Sequence, residues 1–180
     1  MKHLNRKCFS AQRGTTLIEV LISVLIMSIG MLGIAGLQAF SMSSSHQASM
    51  RSQAVILARD MADRMRANRI AVRAVAPNNY GTVAPVKNNC RAAYATVTAV
   101  AVACTPTAMA ADDVWDWRDR VTRQLPAGEG EVCVDSTPDD GAAGAHACDG
   151  VGAVFAVKMF WTEKATGTAV AEPKRLVLVV

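Results

Sequence analysis

The carboxylate of Glu19 stands at the entrance of a long apolar run, where a charge is costly. No charged side chain follows it between Val20 and Met50. A carboxylate in a hydrocarbon core costs on the order of 2.5 kcal/mol or more, and such groups generally pair with a partner and serve a function. The alternative is that Glu19 rests in the lipid headgroup zone, where an acid in the first turn of a helix suits the helix dipole.

The segment around Glu19 has the composition of a membrane anchor. Residues 20–37 approach the roughly 20 residues that an α-helix needs to cross a hydrocarbon core. The leader before Glu19 contains bases and no acid, and positive charge ahead of an apolar helix keeps that end cytoplasmic. The chain is therefore predicted to be exported or anchored. The bases of the leader are Lys2, Arg6, Lys7 and Arg13.

Residues 14–22, with the sequence Gly-Thr-Thr-Leu-Ile-Glu-Val-Leu-Ile, resemble the prepilin cleavage site of type IV pilins and their relatives. This resemblance implies that prepilin peptidase cuts after Gly14 and methylates the amino group of Thr15. The family usually has phenylalanine at the first mature position, and Thr15 departs from that pattern. An α-amino group has a pKa near 8. The new N-terminus would thus be cationic at neutral pH and would neutralise Glu19 of its own or a neighbouring subunit.

An ordinary secretory signal, with a later cut near residues 37–39, is the competing interpretation of the same segment. The length of the apolar run and the acid at its start argue against it. The two interpretations differ in the mature N-terminus, which is Thr15 in the first and a residue near Phe40 in the second.

The excess of positive charge belongs to the leader. The chain has 19 Lys and Arg against 15 Asp and Glu, a formal net charge of +4. Removal of residues 1–14 would take away four bases and no acid, which leaves a formally neutral mature chain. The basic isoelectric point is therefore no indication of nucleic-acid binding, and no nucleic-acid partner is expected.

The cysteine count indicates an oxidising compartment. Cleavage after Gly14 would remove Cys8 and leave an even set of four, which suits the periplasm. Three pairings are possible in principle, and the two local pairs would each close a loop of about 15 residues, worth roughly 3 kcal/mol. No Cys-x-x-Cys pair exists, which disfavours zinc. The four candidates are Cys90, Cys104, Cys133 and Cys148.

Helical periodicity continues past the apolar run and predicts one helix from about residue 17 to residue 72. Alanine and methionine side chains recur on one face, which therefore needs a packed domain against it. The other faces carry acids and bases, including an Asp60–Arg64 pair in the favoured order. The apolar face contains Ala54, Leu57, Ala58, Met61 and Met65, and the charged faces contain Arg59, Asp60, Asp63, Arg64 and Arg66.

Gly30, Gly33 and Gly36 interrupt the apolar half at three-residue spacing. Each glycine costs about 1 kcal/mol relative to alanine in a helix. Small residues permit close packing between helices in a membrane. The resemblance to pilins adds a second explanation, that the helix loosens here when it moves from the bilayer into a filament.

The C-terminal half predicts a helix and an antiparallel sheet. Residues 112–125 read as a helix capped by Asp112 or Asp113 and ended by Pro126, with Trp115 and Trp117 as core anchors. Residues 131–135 are a short strand candidate. Alternation over residues 154–161 predicts a strand with one buried face, followed by a turn at 165–168 and a last strand at 175–180. Residues 74–111 stay without a definite prediction.

These patterns predict an α+β protein with the type IV pilin fold. A long N-terminal helix, transmembrane in its first half, would pack against a C-terminal head with an antiparallel sheet. The expected division is a cleaved leader at 1–14, a transmembrane and assembly half at 15–40, an amphipathic half at 41–73 and a periplasmic head at 74–180.

No catalytic set emerges from the polar residues, and no enzyme activity, cofactor or metal is predicted. The histidines are His3, His46 and His146, which do not combine into a Ser/His/Asp or Cys/His arrangement. Clustered loop acids are the oxygen ligands that calcium uses, although solvated loop charges are the preferred interpretation. These acids are Asp135, Asp139, Asp140 and Asp149.

Residues 28–38, 51–54 and 60–69 resemble minor pilins. The resemblance implies a subunit that joins other minor pilins in a tip complex, primes pilus assembly and presents an adhesin. It implies contact with the major pilin, prepilin peptidase and the inner-membrane assembly machinery. The protein would be a single-pass inner-membrane protein before assembly and part of the pilus, at its tip, afterwards. The alternatives are a minor pseudopilin of a type II secretion system and a signal-anchored periplasmic enzyme or binding module.

Overall fold

The computed structural model describes residues 16–76, 79–90, 104–164 and 171–180. A long N-terminal helix is followed by a head with a three-stranded antiparallel sheet in the order β1-β2-β3. The predicted α+β class, with this helix and this kind of sheet, is confirmed. The predicted turn at 165–168 lies outside the described residues. The elements are α1 (Leu17–Ala67), α2 (Arg69–Arg73), α3 (Pro106–Gln124), β1 (Glu129–Val134), β2 (Phe155–Lys164) and β3 (Ala171–Val179).

The chain divides into two compact units, residues 1–43 and residues 44–180. The described part of the first unit is the apolar half of α1, and its large apolar side chains are exposed. By length and composition α1 qualifies as a membrane-crossing helix, with a mean hydropathy of 2.5 in its most apolar window. A Cβ added at Gly30, Gly33 or Gly36 would meet no atom within 4 Å. Nothing in the described part of the chain therefore requires glycine at these three positions.

The predicted single helix is interrupted at Asn68. α1 ends at Ala67, and the Asn68 side chain accepts a hydrogen bond from the Ala71 amide as the N-cap of α2. Its Nδ2 donates to the carbonyl of Pro106 at 2.8 Å and to Tyr80 Oη at 3.3 Å. An asparagine side chain competes with the helix backbone for hydrogen bonds, and these distant partners hold it in the competing position.

The core of the second unit forms where α1 meets α3 and the sheet. The predicted alanine and methionine face of α1 is buried there, which confirms that face. Trp117 is fully buried and donates its indole N–H to the carbonyl of Leu57 at 2.9 Å. Trp115 is only half-buried, with Lys87 Nζ 4.9 Å from its ring centroid. Of the two predicted core anchors, Trp117 alone is buried in the core.

Helix α3 begins earlier than predicted, and the predicted caps are wrong. Thr105 is the N-cap, Pro106 occupies the first turn, and Asp112 and Asp113 lie buried inside the helix. Asp112 accepts hydrogen bonds from the backbone amides of residues 88, 89 and 90, at 2.7 to 3.2 Å. Asp113 accepts a hydrogen bond from Tyr80 Oη at 2.8 Å. Both acids bind the preceding segment instead of capping a helix, because that segment packs against α3.

Strand β2 is buried on both faces, so the prediction of one buried face is wrong. Val157, Met159 and Trp161 face the main core as expected, but Ala156, Lys158 and Phe160 are buried as well. The loop between β1 and β2 covers this second face, since His146 stacks on Phe160 with ring centroids 5.2 Å apart. The flanking strands are also longer at their N-terminal ends than the predicted 131–135 and 175–180.

Two disulfides fix the loops of the head. The structure pairs Cys90 with Cys104 and Cys133 with Cys148, with Cα atoms 5.7 and 6.0 Å apart. These are the two local pairings, at sequence separations of 14 and 15 residues. The second bond ties β1 to the loop that covers β2.

Replacing Gly130 by alanine is expected to lower the free energy of unfolding by about 1–3 kcal/mol through overpacking. A Cβ at Gly130 would lie 2.6 Å from two ring atoms of Trp117, whose ring is fully buried. Urea denaturation of the full chain in detergent, followed by tryptophan fluorescence, reports this head because all three tryptophans lie in it. Gly33→Ala, in open space, is the matched control. An unchanged midpoint for Gly130→Ala would contradict this packing.

Candidate processing and assembly site

Glu19 lies in the first turn of α1. Its backbone amide donates to the carbonyl of Thr16 at 3.1 Å, and Ser23 Oγ donates to the Glu19 carbonyl at 2.7 Å. Its carboxylate is exposed and has no hydrogen-bond or ion-pair partner among residues 16–76, 79–90, 104–164 and 171–180. Gly14 and Thr15, the predicted cleavage and methylation residues, lie outside the described residues. Within the described chain, the acid is available to an external cation.

The helix surface that follows Glu19 is apolar on all sides. Leu32, Leu37 and Met42 are each more than 70% exposed, and the most apolar window of α1 has none of its residues buried. Apolar surface of this extent marks contact with lipid or with other protein. In lipid, small residues at a helix surface let neighbouring backbones approach closely, which suits Gly30, Gly33 and Gly36.

The charged face of α1 in the head is only partly solvated. Arg64 is 7% exposed and reaches carboxylates of Asp60 at 2.9 Å, Asp116 at 2.9 Å and Asp113 at 3.4 Å. Arg120 of α3 also pairs with Asp60. Asp60 and Arg64 are therefore not freely solvated charges of the helix surface. Both residues join α1 to α3 within one head.

Tyr80 extends this network into the core. Its ring is buried, and its hydroxyl donates to Asp113 Oδ2 at 2.8 Å. Burial raises the pKa of Tyr80 well above its ordinary value of 10, and the negative charge of Asp113 raises it further. The phenol therefore stays protonated and serves as a hydrogen-bond donor, a role that no local sequence signal indicated.

Lys158 forms the centre of the second polar cluster. Its ammonium group pairs with Asp135, and both side chains are fully buried. It also reaches Asp140 Oδ1 at 2.7 Å and the carbonyl of His146 at 2.9 Å. The expectation of solvated loop acids is wrong for Asp135. The ammonium stands where a calcium ion would need to bind between Asp135 and Asp140.

The charges of this cluster shift the affinity of its groups for protons. Burial lowers the pKa of Lys158, but hydrogen bonds to Asp135 and Asp140 more than offset it, so the pKa lies above 10.5. The hydrogen bond from Lys158 lowers the pKa of Asp140, with a smaller contribution from Thr137. Cys133 and Cys148 also approach Asp135, but their sulfurs are bonded to each other and offer no thiolate to a metal.

His146 is a bridge between two acids of β1. Its Nε2 lies 3.0 Å from Glu129 and its Nδ1 lies 3.3 Å from Glu131. The hydrogen bond from His146 lowers the pKa of Glu129. Both ring nitrogens are engaged by carboxylates, and the ring stacks on Phe160. This arrangement holds the β1–β2 loop against the sheet.

A pair formed by Glu163 and Arg51 ties β2 to α1. The guanidinium donates to both carboxylate oxygens, at 3.1 and 2.9 Å, and the Trp161 indole donates to one of them at 2.9 Å. Glu163 is 2% exposed. The hydrogen bond from Arg51 lowers the pKa of Glu163, and the bond from Trp161 adds to this effect. No sequence pattern indicates this pair, because its members are 112 residues apart along the chain.

Glu163→Gln is expected to lower the free energy of unfolding at pH 7 and to make that free energy less dependent on pH. Because the folded pKa of Glu163 lies below its ordinary 4.5, its contribution is present above about pH 4.5 and is lost as the pH falls through the lowered value. Urea midpoints measured between pH 3 and pH 7 test this. Glu172→Gln, at an exposed pair with Lys174, should keep the wild-type profile. Parallel profiles for wild type and Glu163→Gln would contradict the prediction.

Comparison with known protein families agrees with this geometry. Residues 9–35 match the prokaryotic N-terminal methylation motif. Residues 36–115 match the family of the type IV pilin Tt1218. No curated protein and no solved structure matches the chain at a significant level. The chain thus has a segment that matches a methylation motif, followed directly by a segment similar to a type IV pilin, in an α+β structure with a long N-terminal helix and an antiparallel sheet.

Proposed function

We propose that this protein is a minor pilin of a type IV pilus, similar to the type IV pilus modification protein PilV. One observation carries the proposal, namely Glu19 at the start of an exposed apolar helix, within the segment that matches a methylation motif and without a partner among the described residues. The resemblance of residues 28–38, 51–54 and 60–69 to PilV favours a minor pilin over a major one.

Processing creates the partner of Glu19. Prepilin peptidase cuts between Gly14 and Thr15 and methylates the new amine, which keeps its positive charge at neutral pH. An incoming subunit brings a cation or a carboxylate into an apolar environment, where an unpaired charge is costly. Pairing of Glu19 with the amine of a neighbouring subunit removes that cost and fixes the register of the two helices.

The proposed division of the chain follows from this mechanism. Residues 1–14 are removed, residues 15–40 cross the inner membrane and later pack among other pilins, and residues 41–73 connect to the head at 74–180. The head lies in the periplasm, a compartment compatible with its two disulfides. The partners are other minor pilins, the major pilin, prepilin peptidase and the inner-membrane assembly machinery. The assembled complex sits at the pilus tip, primes assembly and presents an adhesin.

A minor pseudopilin of a type II secretion system is the second candidate. It would share the methylation motif, the apolar helix and Glu19, so the match at residues 9–35 supports it equally. Deleting the protein separates the two, since a minor pilin is needed for surface pili and a pseudopilin for the export of secreted enzymes.

Mass spectrometry of the mature N-terminus tests the processing step. We expect a peptide that begins with N-methylated Thr15, and loss of this peptide when Gly14 is replaced by alanine. A mature chain that begins near Phe40 would instead identify a secretory signal and would exclude both pilin and pseudopilin. Thr16→Ala, just after the cut, serves as the matched control and should be processed normally.

A further inference from the structure

In the described part of the second unit, the charged groups without an ion-pair or hydrogen-bond partner are all basic. Among the described residues of the second unit, every carboxylate has an ion-pair or hydrogen-bond partner within the chain. Several bases of the same part have no carboxylate partner there. Two of them, Arg69 and Arg73, lie in α2 and are exposed.

Arg69 and Arg73 border a small depression together with Arg66. Its exposed apolar surface comes from Val72 and Val180, and its volume is about 170 Å³. We name this site the arginine pocket. Arg66 has one partner, Asp63 at 3.0 Å, in a pair whose two side chains are 65% and 72% exposed. Exposed pairs of this kind contribute little and exchange easily, so all three guanidinium groups are available.

The chemistry of the arginine pocket suits a carboxylate beside an apolar side chain. A guanidinium group binds a carboxylate through two parallel hydrogen bonds, and Val72 and Val180 offer a surface to an aliphatic group. Nucleic acid fits less well, because single strands bind along grooves with stacked aromatic side chains and none of the residues that line this pocket is aromatic.

A lipid headgroup is also a poor candidate. The second unit begins at Ser44. At a rise of 1.5 Å per residue, Arg66 lies about 33 Å farther along α1. Attraction to an anionic bilayer falls off within a Debye length of about 8–10 Å. The occupant is therefore sought among proteins.

We propose that the arginine pocket binds an acidic segment of a neighbouring pilin whose sequence differs from this chain. A second copy of this chain is disfavoured because any acid that it offered would have to leave a partner within its own chain, whereas a different pilin can offer an acid that has no such partner. This inference rests on the proposed function and adds the chemistry of the partner. The partner's segment carries Asp or Glu next to an aliphatic residue.

A photo-crosslinking amino acid at position 70 tests the contact in piliated cells that produce the full chain. Ile70 is 71% exposed and lies between the two arginines of α2. We expect an adduct with another pilin at a peptide that contains Asp or Glu. Adding Arg69→Glu and Arg73→Glu should reduce the adduct at least tenfold, whereas Arg69→Lys with Arg73→Lys should retain most of it.

The matched control is Arg123→Glu, an exposed arginine at the C-terminal end of α3. Asn68, just after the end of α1, contacts Pro106 at the start of α3, and Leu57 farther back in α1 contacts Trp117 farther along α3. The two helices therefore run antiparallel, and Arg123 lies away from the arginine pocket. This control should leave the adduct unchanged. Arg69→Ala with Arg73→Ala, which removes the positive charges without reversing them, should also lose the adduct. Tryptophan fluorescence verifies that each variant is folded.

The inference would be overturned by an adduct with a second copy of this chain, with lipid, with nucleic acid or with a pilin peptide that lacks acids. The absence of any adduct at position 70 would also overturn it. A second probe at Ile22 in the apolar half separates this failure from that of the proposed function. Pilin adducts at position 22 with none at position 70 overturn only the pocket. The absence of pilin adducts at both positions overturns the proposed function as well.

Discussion

Replacing Lys158 by methionine is expected to lower the free energy of unfolding of the head by about 3–5 kcal/mol. The variant leaves Asp135 fully buried without its cation, and it also removes the ammonium that binds Asp140 and the carbonyl of His146. Native domains are stable by only about 5–15 kcal/mol. The loss should therefore appear as a large decrease of the urea midpoint measured by tryptophan fluorescence.

A second replacement separates the unpaired charge from lost packing. Asp135→Leu in the Lys158→Met background removes the orphaned acid, and replacement of a whole buried pair by apolar groups is often close to neutral. We expect it to restore a substantial part of the loss. Lys174→Met, at the exposed pair with Glu172, should cost less than about 1 kcal/mol. A Lys158→Met variant as stable as this control would contradict the buried ion pair.

Pilus incorporation is expected to fall on the order of 100-fold when Glu19 is replaced by alanine. Without the carboxylate, the methylated amine of a neighbouring subunit stays unpaired in an apolar environment, at a cost of about 2.5–3.5 kcal/mol, and each 1.4 kcal/mol is a tenfold change in equilibrium. The measurement is the amount of this chain in sheared pili relative to the membrane fraction.

Two variants make the interpretation of Glu19→Ala specific. Glu19→Gln keeps the size of the side chain and removes its charge, so it should fail as Glu19→Ala does. Ser23 lies one turn after Glu19, and its hydroxyl donates to the Glu19 carbonyl. Ser23→Ala should be incorporated as wild type is. Normal incorporation of Glu19→Ala, with intact tip complexes, would count against the minor-pilin proposal.

The N-terminal features were predictable because they depend on neighbours in sequence. The spacing of Gly14 and Glu19 and the absence of charge from Val20 to Met50 are read directly from the chain. The alanine and methionine face of α1 also follows from local periodicity, since residues three and four apart share one side of a helix. These patterns indicated the α+β class and the apolar N-terminal helix.

The polar interior of the head could not be predicted in the same way. Arg64 and Asp113 are 49 residues apart, and Arg51 and Glu163 are 112 residues apart. A charged residue on a periodic helix looks solvated until the group that covers it is known. Asp112 and Asp113 looked like helix caps for the same reason, since their real partners come from the preceding segment.

The sequence alone determined which segment is apolar enough to cross a membrane and where a carboxylate stands at the start of that segment, because transfer into lipid depends on the composition of a contiguous segment. Only the tertiary structure decided which charges face inward and which remain for a partner. The free energy of a buried charge depends on groups brought together by folding. In the described part of the second unit, folding gives every carboxylate a partner within the chain and leaves the exposed arginines of α2 without a carboxylate partner.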